Sequence, residues 1–140
     1  MYVTAVCGIL DGATGELALA VAGHDPPLRA GAGRSPRPLN VDGGPVLGLM
    51  PDAGFPTSRF RLSQGEEVVL FTDGVTDARD TSDEMFGQER LLEAVASAAA
   101  EGADAVTFAV LRLVEGFAAG AAQADDITIL TLQHRPPARA

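Results

Sequence analysis

The hydrophobic period of this chain changes twice along its length, and that change limits the architectures open to it. Through residue 72 the apolar residues come in strand-length runs broken by Gly, Pro, Asp and Ser. Leu91, Leu92, Val95 and Ala99 then follow helical spacing, as do Val106, Val110, Leu113, Val114 and Phe117. Residues 127–132 return to a strand-like run. Strands grouped apart from helices predict an α+β fold rather than alternating α/β. With no crossover helix among the early strands, their pairing is expected to be antiparallel.

In more detail, residues 2–10 and 16–22 are apolar runs around the turn cluster Asp11-Gly12-Ala13-Thr14-Gly15, and read as a β-hairpin. Both faces of each strand are apolar or small, so the hairpin calls for cover on both sides, in a sandwich core or under helices. Residues 27–30 and 37–41 look like short strands, 42–51 like a loop and 55–62 like an edge strand. Residues 67–72 form the most apolar strand. Gly102 separates the two helices, and Gly116 and Gly120 loosen the end of the second. Residues 1–133 read as one domain, and residues 134–140, with two prolines, as a disordered tail. There is no internal repeat.

At 140 residues and 46% hydrophobic, the chain has enough apolar material for a real core. Its formal net charge is −9 with no Lys/Arg run, which speaks against nucleic acid, whose phosphates need clustered cations. Acidity of this kind suits divalent cations, basic partner surfaces or plain solubility. The one cysteine, Cys7, rules out an intrachain disulfide and reads as a buried small hydrophobe. No apolar run reaches the roughly 18 residues of a membrane span. No signal peptide is evident at the first residues. Together these point to a cytoplasmic location without membrane contact.

The chemistry sits at strand ends. Asp73 follows the strand 67–72, with Gly74 allowing a sharp turn, and Asp125-Asp126 precede the strand 127–132. If those strands are antiparallel neighbours, the end of one lies beside the start of the other, and the carboxylates meet. Two close carboxylates repel, and a divalent cation relieves the repulsion. Oxygen-only ligands select hard cations such as Mg²⁺ or Mn²⁺. The same residues also read as ordinary turn chemistry, since Asp-Gly is a common turn dipeptide, or as solvated charge flanking a hydrophobic strand.

An ordered set of motifs carries a resemblance. The set runs through Met1-Tyr2-Val3-Thr4-Ala5, Leu10-Asp11 with Thr14-Gly15, Ala22-Gly23-His24 with Pro26-Pro27, and Pro45-Val46-Leu47-Gly48. It continues in Leu70-Phe71-Thr72-Asp73-Gly74-Val75-Thr76-Asp77-Ala78, Phe86-Gly87 with Glu89-Arg90-Leu91, and Asp125-Asp126-Ile127-Thr128-Ile129-Leu130. The chain resembles the C-terminal part of the PPM family of metal-dependent protein serine/threonine phosphatases, in its bacterial SpoIIE-like branch. The resemblance implies an antiparallel β-sandwich flanked by helices, with the N-terminal part of that fold missing. It also implies two divalent ions, Mn or Mg, and hydrolysis of phosphoserine or phosphothreonine by a metal-activated water without a covalent phosphoenzyme.

Carried over residue by residue, Asp73 and Asp125 match metal-ligand positions. Gly74 and Asp126 match neighbouring positions, the latter more often a hydrogen-bonding one. Asp77 matches an acidic position usually filled by Glu, and reads either as an accessory-metal group or as a helix N-terminal charge. His24 lies in a matching motif and reads as a residue that lines the site or fixes a loop. The family's Gly-Asp motif, which supplies a bridging carboxylate, has no counterpart here. Weak metal affinity and exposed apolar strand surface are therefore expected, with self-association through the exposed sheet. The implied partner is a phosphoprotein substrate, such as an anti-sigma-factor antagonist in partner-switching signalling. The competing reading is a non-catalytic binding or regulatory module, or an inactive truncated fragment of the fold. Arg29, Arg34, Arg37, Arg59 and Arg61 read either as groups that help bind phosphate or an acidic partner or, as scattered arginines usually are, as solvated.

Overall fold

The computed structural model describes residues 2–31, 33–123 and 125–135. The chain sorts into two compact units, each with its own sheet.

The first unit comprises residues 1–26, 39–64 and 134–140. Its sheet is built on the predicted hairpin, β1 (Ala5–Leu10) and β2 (Glu16–Ala22), antiparallel with Leu10 opposite Leu17 and Ala5 opposite Ala22. The turn between them is closed by one aspartate. The Asp11 amide donates to the Glu16 carbonyl and the Gly15 amide to the Asp11 carbonyl, each at 2.8 Å. One Asp11 carboxylate oxygen accepts the amides of Ala13 at 2.8 Å and Thr14 at 3.1 Å. The Thr14 amide first, then that of Ala13, holds the Asp11 carboxyl below the ordinary aspartate range.

Along its other edge β2 pairs antiparallel with β6 (Thr57–Arg61), and at its end with the two-residue β5 (Gly43–Gly44). The β5 pairing is parallel, so the all-antiparallel expectation fails at one short ladder inside the predicted loop. On β2, Leu17, Leu19 and Val21 are buried and alternate with Ala18 and Ala20, as a pleated strand requires. β1 is an edge strand, and Cys7 on it is exposed rather than buried. An apolar run marks a strand but does not say whether its faces are covered. His134 was expected to open a frayed tail. Instead it is buried, its Nε2–H donating to the Gly12 carbonyl at 3.1 Å. The remainder of that tail, residues 136–140, lies outside the described residues.

The second unit comprises residues 27–38 and 65–133. Its sheet has the order β4 (Arg34–Pro38), β3 (Leu28–Gly31), β7 (Glu67–Phe71), β8 (Ile129–Gln133), antiparallel throughout. Three helices follow β7: α1 (Asp73–Thr76), α2 (Gly87–Ala98) and α3 (Ala103–Ala118). One face of the sheet, with Leu28, Ala30, Val69 and Phe71, forms a single core with Val75, Phe86, Leu91, Val95, Val106, Val110 and Val114. Burying each such side chain is worth about 1.5–3 kcal/mol, so this core is the main stabilising element of the unit. The predicted helical spacing placed Val106, Val110 and Val114 correctly on the buried face.

Beside the start of β7, Glu66 is buried and charge-paired. Arg29 donates to both of its carboxylate oxygens, through Nε at 3.1 Å and Nη2, and Arg34 lies 3.6 Å away. Two arginines that read as solvated therefore neutralise a buried carboxylate. The α+β class stands: two separate sheets, with the helices grouped between β7 and β8.

Asp11→Ala is expected to lower the melting temperature at neutral pH by removing both turn hydrogen bonds. Because the folded carboxyl titrates below the ordinary value, its contribution is present above pH about 4 and disappears as pH falls through the lowered value. Thermal melts of the two proteins should therefore converge in acid. A gap that stays constant down to low pH would show that the carboxylate charge plays no part.

Candidate metal centre

β7 and β8 pair in register from Glu67 opposite Gln133 to Phe71 opposite Ile129. Continuing that register puts residue 73 beside residues 125–127. Backbone and side-chain bonds tie the two chain ends together. The Thr72 amide donates to the Thr128 carbonyl at 3.1 Å. The Thr72 hydroxyl donates to the Asp126 carbonyl at 2.8 Å and accepts the Thr128 amide at 2.9 Å. Thr72 thus clamps the segment that carries both acidic residues. Sequence reasoning gave it no role, although a hydroxyl residue at the last strand position before Asp-Gly was the available signal.

Gly74 does something other than allow a sharp turn. It sits inside α1, and the backbone there is not in the left-handed region. A Cβ at this position would lie 2.5 Å from the Asp126 carbonyl oxygen and 3.3 Å from the Asp125 carbonyl carbon. Glycine is required because the Asp125-Asp126 segment passes directly over it. The backbone of residues 125–126 therefore lies against residue 74, next in sequence to Asp73. All three aspartates are exposed at the sheet end.

Local bonds orient the acidic segment. One Asp125 carboxylate oxygen accepts the Asp126 amide at 2.7 Å, and the Gln123 side-chain amide donates to the Asp125 carbonyl at 2.7 Å. The Asp126 carbonyl is occupied by Thr72. Asp77 caps the C-terminal end of α1, its amide donating to the Asp73 carbonyl at 2.8 Å. The reading of Asp77 as a helix N-terminal charge is thus corrected; Asp73 occupies the first turn. His24 is in the first unit, half-buried, with its Nδ1–H donating to the Asp25 carbonyl at 3.0 Å, a loop-fixing bond.

The donor set suits a hard divalent cation in kind, being carboxylate oxygen throughout. It falls short in number. Among the described residues no group of three or more His, Cys, Asp or Glu is placed to hold a metal ion. Cations of this class usually want six or more oxygens, partly from water.

A family model described as Stage II sporulation protein E (SpoIIE) matches residues 1–135. The chain belongs to the SpoIIE family. It is 31% identical over 132 residues to Protein IcfG of Synechocystis, covering 94% of this chain and 20% of that protein. Among solved structures it is similar to the RsbU and RsbW domains of Rv1364c from Mycobacterium tuberculosis. That likeness has 28% identity and a TM-score of 0.77, over 97% of this chain and 37% of that one. It shares the fold of the phosphatase domain of SpoIIE from Bacillus subtilis, with TM-score 0.72 at 10% identity, over 98% of this chain and 59% of that one. The chain thus spans less than two thirds of the length of each of these relatives. The expected PPM-type, SpoIIE-like membership is correct, and the family is one of metal-dependent phosphatases.

Gly74→Ala should force the Asp125-Asp126 segment away and destabilise the protein by about 1–3 kcal/mol, as overpacking does. Thr72→Val, which keeps the shape and removes both hydroxyl bonds, should cost about 1–2 kcal/mol. Chemical denaturation measures both. Values within a few tenths of wild type would mean that the acidic segment is not held by this clamp.

Proposed function

We propose that this chain forms part of a metal-dependent protein serine/threonine phosphatase domain, and that Asp73 and Asp125 are its metal-ligating carboxylates. The observation that carries the reading is the docking of the Asp125-Asp126 segment onto Gly74, beside Asp73, in a chain of the SpoIIE family. In a complete domain of this family, Asp73 and Asp125 would help hold two Mn or Mg ions, which would supply an activated water for phosphoester hydrolysis. This chain's own residues contribute the positioning. β7 and β8 hold the two carboxylates, Thr72 locks the strand ends, and Asp126 and Asp77 line the same end. The substrate is a phosphoprotein, such as an anti-sigma-factor antagonist in bacterial partner-switching signalling, and the location is cytoplasmic. Among the described residues no helix is long and apolar enough to cross a membrane.

The competing reading is a non-catalytic binding or regulatory module of the same fold. Among the described residues no group of three or more His, Cys, Asp or Glu is placed to hold a metal ion. The two readings separate on metal binding. Mn²⁺ titrated into the 140-residue chain should broaden amide resonances around residues 72–77 and 125–128, with affinity weaker than micromolar. Asp73→Asn or Asp125→Asn should remove that broadening. Broadening spread over the acidic surface, or unaffected by either change, would refute the assignment. Hydrolysis of a phosphothreonine peptide by the chain alone should stay near background. Strong turnover abolished by Asp73→Asn would instead mean that the chain already carries a full cage.

We also expect self-association. Ile9 on edge strand β1 is 74% exposed, and Leu130 on edge strand β8 is 51% exposed. Sedimentation equilibrium should show oligomers that weaken with Leu130→Lys. A strict monomer at high concentration would count against it.

A further inference from the structure

The helical spacing of α3 predicted Leu113 and Phe117 to be core residues beside Val110 and Val114. The structure leaves Leu113 47% exposed and Phe117 only half-buried, and Phe108 one face over is 65% exposed. Leu113 and Phe117, with Phe86, line a groove of about 310 Å³ between α2 and α3. The two rings meet edge to face, 5.5 Å apart at 72°. The groove has room to spare at Gly116, where an added Cβ would meet nothing within 4 Å. A glycine inside a helix costs up to about 1 kcal/mol relative to alanine, and here no backbone strain or close packing calls for it.

The charges around the groove are not symmetric. Arg90 is already partnered. Its Nη1 donates to the Met85 and Phe86 carbonyls at 3.0 Å each, its Nη2 pairs with Glu84, and its guanidinium lies 4.7 Å from the Phe117 ring centre. Glu93 lines both this groove and the polar depression that continues from it, which also includes Glu89. Glu89 and Glu93 are exposed, and neither forms an ion pair among the described residues. The α2 wall is therefore acidic, on a chain whose net charge is already −9, while α3 opposes it with Arg112 alone.

We propose that the α2–α3 groove is a docking site for an amphipathic segment of a partner protein. That segment seats one large apolar side chain over Phe86, Phe117 and Gly116, with Lys or Arg flanking it toward Glu89 and Glu93. An apolar anchor supplies the affinity, and the opposite charges on the rim set specificity and speed of association.

The probe is a fluorescein-labelled synthetic amphipathic helix with a Leu/Phe stripe flanked by Lys, compared with the same helix flanked by Glu. Anisotropy should show saturable binding of the Lys-flanked peptide, at least about tenfold tighter than the Glu-flanked one. Gly116→Leu fills the groove from within and should leave the fold as stable as wild type or more so, yet abolish binding. Glu93→Lys should weaken the Lys-flanked peptide about tenfold or more and improve the Glu-flanked one. Equal binding of both peptides, or binding that survives Gly116→Leu in a protein shown folded by its melt, would overturn the proposal. So would oligomers that Gly116→Leu dissolves, because a second copy of the chain would then be the occupant.

Discussion

The pairing of β7 with β8 is the constraint on which the candidate site depends. Its ladder joins residues more than 50 positions apart in sequence, and everything at the acidic end follows from the register of that ladder. Shifting it by one residue would turn Ile129 and Thr131 away from the helices and move the Asp125-Asp126 segment off Gly74. Thr72 protects the register where the regular ladder ends, by exchanging two side-chain bonds with Asp126 and Thr128. On the helix side, the Thr107 and Thr131 hydroxyls hydrogen-bond at 2.8 Å, which ties α3 to β8 at a matching point.

Interior packing supports this end of the sheet. Phe71 and Val75 lie either side of Asp73 in sequence, and both belong to the same buried core. The backbone carrying Asp73 is thus anchored before and after it, while the carboxylate itself stays exposed. At the other end of β7, buried Glu66 is held by Arg29 and approached by Arg34, and buried Glu67 accepts the Gln133 side-chain amide at 3.1 Å.

Family membership and geometry carry different parts of the functional reading. Membership rests on the match over residues 1–135, and brings metal-dependent phosphatase chemistry as the family's property. Geometry brings together, at the backbone level, the two chain segments that carry three exposed aspartates, and among the described residues no group of three or more His, Cys, Asp or Glu is placed to hold a metal ion. Both are consistent with a chain that covers 59% of the solved SpoIIE phosphatase chain it resembles in fold.

Much of the fold was legible in the residues themselves. The hairpin around Asp11, the strand before Asp73, both long helices and the α+β class follow from local period and turn chemistry, which act within a few residues. The motif Thr72-Asp73-Gly74 and the pair Asp125-Asp126 were also visible, together with the family resemblance they help to carry. Other features needed the folded chain, because they depend on which distant segments meet. Gly74 is required by a passing backbone and not by its own torsion angles. Asp77 ends a helix that local pattern did not reveal, and Cys7 and Leu113 are uncovered although their neighbours in sequence are apolar. Apolar spacing states which residues can be buried; only tertiary packing decides which of them find a partner surface.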